Sequence, residues 1–398
     1  MARRVLYLTH SAPLPMVSGE RIRAFNLMRE LAARGWLVSL FSLVWGRAPE
    51  PADERALAEV CESIMLQPFE PSSAARRLRL ARDLALARPF QAAYFTNGAV
   101  RRGVRELVEA QDFDLVVMNQ LYTYAWVPPE LHEQSVLDAH NVEARRLEAL
   151  ARGPVLHRRL AARLQLPAVR RFEADAVQRV RRTLAVSRVE QEHLDALAPG
   201  RVRLVPNGVD TASLQPRNGT GREAQLLFLG SLTYSANADA VGYLADEILG
   251  RVRARVARVA VVGLDPGRSV YAAARRSPVP MEIVGYVDSV QPQVERSRML
   301  VVPLRYGAGT RLKILEALAR GLPVVSTSIG CEGLDLTHER EIVVADEPAE
   351  FAAWIDRLLA DDALCARLAE GGRQAVVERY DWSRAGALLD EALREVVP

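Results

Sequence analysis

Val301-Val-Pro-Leu-Arg-Tyr-Gly-Ala-Gly-Thr-Arg-Leu-Lys-Ile-Leu-Glu-Ala-Leu-Ala-Arg-Gly-Leu-Pro-Val-Val-Ser-Thr327 reads as a strand, a glycine turn, a helix and a second strand. The apolar run ends at Gly307-Ala308-Gly309-Thr310, and a helical run then carries Lys313 and Glu316. Gly321-Leu322-Pro323 stops it before Val324-Val325-Ser326. Two strands joined through a helix are the building unit of a parallel α/β sheet. Glycines in the turn let a ligand approach the backbone, and the unpaired N–H groups that open the helix favour a phosphate. Lys313 and Glu316, three residues apart, project from neighbouring positions on one helical side. The ammonium suits a phosphate, and the carboxylate suits paired hydroxyls such as those of ribose. The bland alternative is a solvated surface pair at helical spacing. Composition speaks against it, because Lys313 is the one lysine in the chain against fifty-one arginines. A compact, flexible point charge reaches a phosphate that a planar guanidinium cannot.

Outward from this stretch, short apolar runs alternate with amphipathic ones along all 398 residues. Residues 5–8, 38–43, 115–118, 136–137 and 184–186 form such runs in the first half. Residues 226–229, 259–262, 281–284, 299–302, 324–326 and 341–344 form them in the second. The alternation predicts two Rossmann-like, doubly wound parallel sheets wrapped by helices, and the length suffices for two cores at roughly 150 residues each. Ligands of such sheets bind beyond the carboxyl ends of the strands, which places His10, Asn119, His140, Ser187, Asn207, Gly230, Gly263 and Gly307 at cleft-facing positions. The polar stretch 211–225, with Pro216, Gly219 and Gly221, reads as the linker. Domains are expected over 1–206 and 207–380, with 381–398 a capped amphipathic helix.

Taken together, these landmarks resemble glycosyltransferase family 4, retaining enzymes with the GT-B fold that use nucleotide-sugar donors. The likeness rests first on Gly309-Thr-Arg-Leu-Lys-Ile-Leu-Glu316 and Pro206-Asn-Gly-Val-Asp210. Val5-Leu-Tyr-Leu-Thr-His10 with Ser18-Gly-Glu-Arg-Ile-Arg23, Val136-Leu-Asp-Ala-His140-Asn-Val-Glu143 and Leu184-Ala-Val-Ser187 follow the family's order. The resemblance implies two domains facing a cleft, acceptor on the first and donor on the second, with the terminal helix crossing back to the first. It assigns catalysis to His140, Lys313 and Glu316. It assigns donor binding to Gly19, Gly230, Gly307, Ala308, Gly309, Thr310, Arg311, Lys313 and Glu316. Two departures stand out. Many members carry two glutamates separated by seven residues, and counting back from Glu316 lands on Ala308, so the first of the pair is absent. The Arg and Lys that many members place after the first strand of the second domain are missing from Leu226-Leu-Phe-Leu-Gly-Ser-Leu-Thr-Tyr-Ser-Ala-Asn237, and Arg311 and Lys313 are the candidates to replace them.

No stretch approaches the roughly 20 apolar residues of a membrane span, and Met-Ala-Arg-Arg leads straight into a short strand, so a cytoplasmic protein is expected. Cys61, Cys331 and Cys365 have neither disulfide nor zinc spacing, and no Asp-x-Asp pair follows a strand, so neither metal nor other cofactor is expected. Asn218-Gly-Thr220 matches a glycosylation sequon and reads as a turn. Charge is uneven. Residues 1–206 hold 30 Arg against 23 acids, a balance of +7, while the remainder stands at −4. Residues 145–182 hold eleven arginines and three acids interleaved with leucines, and a second Arg-rich run spans 76–105. Such a segment suits either an anionic membrane surface or a solvated helix face.

The expected activity is therefore sugar transfer from a nucleotide-diphosphate sugar, with retention, to a glycan or lipid-linked glycan in polysaccharide or glycolipid synthesis. Peripheral contact with an anionic membrane is an open possibility, and nucleic acid is not an expected partner. Two alternatives stay open, a nucleotide-sugar epimerase or hydrolase on the same fold and a catalytically silent relative that binds membranes or nucleic acid. A nicotinamide-dependent dehydrogenase is disfavoured because Gly-x-Gly-x-x-Gly does not follow the first strand.

Overall fold

A computed structural model describes residues 2–45, 48–70, 88–152, 156–217, 224–307, 309 and 311–397. The chain divides into two compact units, Met1–Asn207 with Trp382–Pro398, and Gly208–Asp381.

The first unit is a seven-stranded parallel sheet built from β1 (Arg4–Thr9), β2 (Leu37–Val44), β3 (Ser63–Pro68), β4 (Leu115–Asn119), β5 (Ser135–Ala139), β6 (Arg182–Ala185) and β7 (Val202–Leu204). Their order is β3-β2-β1-β4-β5-β6-β7. Alternation along β1 sends side chains to opposite faces. Val5 and Tyr7 join a core with Leu27, Met28 and Leu31 of helix Gly19–Ala33 and with Leu389 and Leu393 of helix Trp382–Arg394. Leu6 and Leu8 join a core with Val100 and Val104 of helix Gly98–Ala110 and Ala176 and Val177 of helix Leu156–Arg179. Both faces are covered, so the inner strands are continuously apolar.

The second unit repeats the scheme with six parallel strands. These are β8 (Gln225–Leu229), β9 (Arg258–Val262), β10 (Met281–Gly285), β11 (Ser297–Val302), β12 (Val324–Ser326) and β13 (Val343–Val344), in the order β10-β9-β8-β11-β12-β13. Each sheet reverses its winding once, between β1 and β4 and between β8 and β11, and those are the switch points where α/β sheets bind ligands.

Three features differ from the sequence expectations. Strands β3 and β7 were not anticipated, because β3 is a half-exposed edge and β7 has three residues with an arginine at its centre. Residues 211–217, the described start of the expected linker 211–225, are held in place. Thr211 is held by Asp381, and the buried Arg217 donates to the carbonyls of Gly321 (2.8 Å) and Ser297 (2.7 Å). The second Arg-rich run falls partly, and the Asn218 sequon wholly, outside the described residues.

The terminal helix Trp382–Arg394 lies on helix Gly19–Ala33, where Trp36 Nε1 donates to Asp390 (2.7 Å) and a Cβ on Gly386 would stand 2.5 Å from Glu30 Cβ. Gly386→Leu should therefore cost roughly 1–3 kcal/mol by overpacking, read as an earlier transition in urea unfolding. A wild-type midpoint would show that this contact gives way freely.

Candidate active site

The glycine turn and helix of the second unit are built as the sequence predicted. β11 leads through Gly307 and Gly309 into helix Leu312–Ala319, and β12 follows. Ala308 and Thr310 lie outside the described residues. Gly307 (φ 130°) and Gly309 (φ 88°) occupy backbone that side chains avoid. A Cβ on Gly307 would stand 2.9 Å from Arg311 Nη2 and 3.0 Å from the Tyr234 hydroxyl. Arg311 precedes the helix and is buried beneath this turn, with Tyr234 among its bonding partners. Phosphate-seeking N–H groups and a guanidinium thus converge on one loop.

Lys313 turns away from solvent toward the end of β8. Its Nζ donates to Asn237 Oδ1 (2.9 Å) and sits 5.1 Å from the Phe228 ring centroid. Asn237 is oriented by its own bond to the Ser231 carbonyl (2.8 Å). No carboxylate among the described residues pairs with Lys313. Burial, and then the Arg311 charge, push its ammonium down to about 7. A Cβ on Gly230 would meet Lys313 Nζ and Asn237 Nδ2, each at 2.7 Å, so this glycine makes room for the lysine. Gly263 makes room in turn, since a Cβ there would overlap the Gly230 carbonyl oxygen. Lys313 Nζ thus lies at the end of β8, reached from helix Leu312–Ala319.

Glu316 is half-buried on that helix, with Arg320 Nη1 3.7 Å from its carboxylate. Burial pushes its carboxyl up, and Arg320 opposes the shift. Lys313 and Glu316 engage different neighbours.

In the first unit, His140 stands past the end of β5 within a polar network that spans three strand ends. Its Nε2 lies 2.8 Å from Asn119 Nδ2 and 3.2 Å from Asp138 Oδ2, and its Nδ1 lies 3.4 Å from Gln120 Nε2. Asp138 is fully buried against Arg23, which grips both carboxylate oxygens (2.7–3.0 Å) and also donates to Asn207 Oδ1 (3.1 Å) and the Pro206 carbonyl (3.2 Å). Burial alone would raise the Asp138 pKa, but Arg23 and His140 hold it well below the usual carboxylate range.

Gln120 joins this network to a residue the sequence reading left without a role. Its Nε2 donates to Glu20 Oε2 (3.0 Å), while Ser11 Oγ donates to Glu20 Oε1 (3.2 Å) and His10 Nε2 lies 3.7 Å away. Burial would raise the Glu20 carboxyl, yet His10, His140 and these two donors keep it ionised. Gln120 has φ 75° and ψ 152°, a backbone that costs a non-glycine residue about 1–3 kcal/mol, and that strain aims its carboxamide between Glu20 and His140. Glu20 was hidden because an acid in the first turn of a helix is ordinary dipole compensation. Gly19 is the exposed first residue of that helix. Ser187, by contrast, caps helix Arg188–Asp195 by accepting the Glu190 N–H, and Asn207 receives Arg23, so both serve the fold.

Residues 17–213 match the model of Glycosyltransferase Family 4, and residues 223–361 match that of Glycosyl transferases group 1. A D-inositol 3-phosphate glycosyltransferase of Rhodococcus opacus is 24% identical over 98% of this chain and 90% of its own. Among solved structures, sucrose-phosphate synthase from Thermosynechococcus elongatus superposes with a TM-score of 0.74 at 18% identity, covering 99% of both chains. HepE of Anabaena, solved with UDP and glucose, gives 0.62 at 14% identity over 99% of this chain and 100% of its own. The architecture is therefore the GT-B type, two Rossmann-like parallel-sheet domains, and the chain belongs to glycosyltransferase family 4.

Proposed function

We propose that this glycosyltransferase takes its sugar from a nucleotide-diphosphate donor held on the second unit and passes it, with retention, to a hydroxyl of an acceptor held on the first. The observation that carries the reading is the turning of Lys313, the chain's single lysine, into the β8 strand end beside the Gly307 turn and Arg311. Two cations and a set of helix-opening N–H groups suit a diphosphate whose negative charge grows as the sugar leaves. Glu316, one turn along, suits the ribose hydroxyls. Charge stabilisation by these groups asks for no metal. Attack from the leaving-group side, with a departing phosphate oxygen taking the acceptor proton, asks for no side-chain nucleophile. His140 then steadies the reacting sugar, and Glu20, an ionised carboxylate with an exposed edge, receives acceptor hydroxyls.

The HepE structures with UDP and UDP-glucose make uridine diphosphate sugars the first donors to try. The acceptor is a glycan or lipid-linked glycan in polysaccharide or glycolipid synthesis, reached from the cytoplasmic side of an anionic membrane. Among the described residues no helix is long and apolar enough to cross a membrane, so the contact would be peripheral. A thermal-shift screen across UDP-, GDP-, ADP- and TDP-sugars tests the donor reading. A ligand at a hundred times its Kd adds about 2.7 kcal/mol, and no shift with any of them overturns it.

Glu316→Ala and Lys313→Ala should each weaken donor binding by roughly 1.5–3 kcal/mol, on the order of 10- to 150-fold in Kd, by calorimetric titration. Lys313→Arg should bind poorly too, because a planar fork does not fit beside Gly230 and Asn237. Wild-type affinity in any of the three removes that residue from the site.

Lys313 must be protonated to pair with a diphosphate, and its free-state pKa lies near 7. Donor affinity should therefore rise as pH falls through that value, approaching tenfold per unit above it and levelling off below. The same titration in several buffers reads this slope, and a flat profile would show the amine already charged. His140→Ala should lower turnover more than donor affinity, and Glu20→Gln should raise the acceptor KM while leaving the donor Kd unchanged. Activity should survive EDTA, and a strict need for Mg²⁺ or Mn²⁺ would contradict the metal-free reading.

A further inference from the structure

Helix Leu156–Arg179 is longer than the sheet it covers. Its 24 residues extend about 36 Å at 1.5 Å per residue, whereas the four residues of β6 span roughly 13 Å. The helix ends at Arg179, just before β6 begins, so its first turns overhang the carboxyl end of the sheet, the end that carries His10, Gln120 and His140. There its companion is helix Glu143–Arg152. The core contacts Ala168, Val169, Glu173, Ala176 and Val177 all lie in its second half, and Ala162 is the one buried residue of the first.

That overhang is where apolar side chains are left in water. Leu156, Leu160 and Leu164 are 60%, 50% and 79% exposed. At about 100° per residue they fall within one arc of roughly 80°. Arg163 lies about 20° outside that arc and Arg159 about 60° outside, while Arg171 falls within it two turns further on. Residues 156–172 contain five arginines and no acid. The neighbouring Phe90, whose N–H is held by Gln165 (2.7 Å), adds a fourth exposed apolar side chain. A solvated helix face would pair its arginines with acids and keep leucines out of the exposed arc. This one combines an apolar ridge with a positive border; Arg170 pairs with Glu148 (2.7 Å) of the companion helix, but residues 156–172 themselves carry no acid.

We propose that the overhanging turns of helix Leu156–Arg179 dock on an anionic lipid surface, with the three leucines entering the headgroup boundary and Arg159, Arg163 and Arg171 meeting lipid phosphates. The ridge stands at the sheet end that carries the Glu20 network, so docking brings that end of the first unit to the bilayer, where the sugar of a lipid-linked acceptor is presented. The orientation rests on the acceptor reading above, but lipid binding itself does not. Loss of vesicle binding leaves donor-induced stabilisation standing, and absence of a donor leaves vesicle binding standing.

The test is co-sedimentation of the full chain with phosphatidylcholine vesicles, with and without about 30% phosphatidylglycerol, across an ionic-strength series. The wild type should pellet with the anionic vesicles only, and the bound fraction should fall at least tenfold as salt rises. L156S/L160S/L164S and R159Q/R163Q/R171Q should each abolish binding at moderate salt. The three leucines, Arg163 and Arg171 are exposed and Arg159 is half-buried, so both variants should keep the wild-type melting transition and donor response. Failure of the wild type to bind anionic vesicles at low salt overturns the proposal. So does wild-type binding by the leucine variant, which would reduce the effect to adsorption of a basic protein. A dimer that the leucine variant converts to monomer, without vesicle binding by either, overturns it in favour of self-association.

Discussion

Arg23 and Asp138, fully buried and joined by three hydrogen bonds, are the contact around which the first unit's site is assembled. Arg23 comes from helix Gly19–Ala33 and Asp138 from β5, and the remaining guanidinium donor holds Asn207, the last residue before the chain enters the second unit. Breaking a buried pair of this kind by removing one partner typically costs about 3–5 kcal/mol, because the other charge is left stranded. The pair therefore fixes the position of the helix against the strand. It also fixes Glu20, one turn before Arg23, and His140, two residues after Asp138. The candidate catalytic edge of this unit is held by an interaction that is itself wholly buried.

The second unit reaches a similar end by a different route. Its strand-end contacts depend on missing side chains, with Gly263 yielding to Gly230 and Gly230 yielding to Lys313 and Asn237. A cation drawn into that space is poorly solvated and has an amide for its partner, which leaves it ready for an anion. The first unit presents a carboxylate kept ionised by histidines, and the second presents an ammonium close to losing its proton. Both are charges held under tension by burial, and the proposed function has each relieved by a ligand of the matching kind.

What the sequence revealed and what it hid divide by separation along the chain. The turn from Gly307 to Arg311, Lys313 and Glu316 lies within ten residues, so spacing alone placed those groups together. The twofold α/β pattern was legible because inner strands buried on both faces are unbroken apolar runs. Gln120 meets Glu20 across one hundred residues, Arg23 meets Asp138 across 115, and Lys313 meets Asn237 across 76. No local pattern encodes those meetings, and each partner alone has an innocent explanation, as a first-turn acid, a helix arginine or a loop amide. Strands β3 and β7 were missed for the opposite reason, being too short or too polar to stand out before their neighbours are known.

The scarcity of lysine has a practical side. Among fifty-one arginines the chain carries a single ε-amine, and that amine sits at the centre of the candidate donor site with its proton weakly held. A neutral amine is a nucleophile, whereas guanidinium groups stay charged and inert under the same conditions. Mild acylation near neutral pH is therefore directed, among side-chain amines, to one address. Set apart from the terminal α-amine, which reacts under the same conditions, labelling of that one side chain becomes a chemical footprint of one pocket, with protection reporting its occupancy.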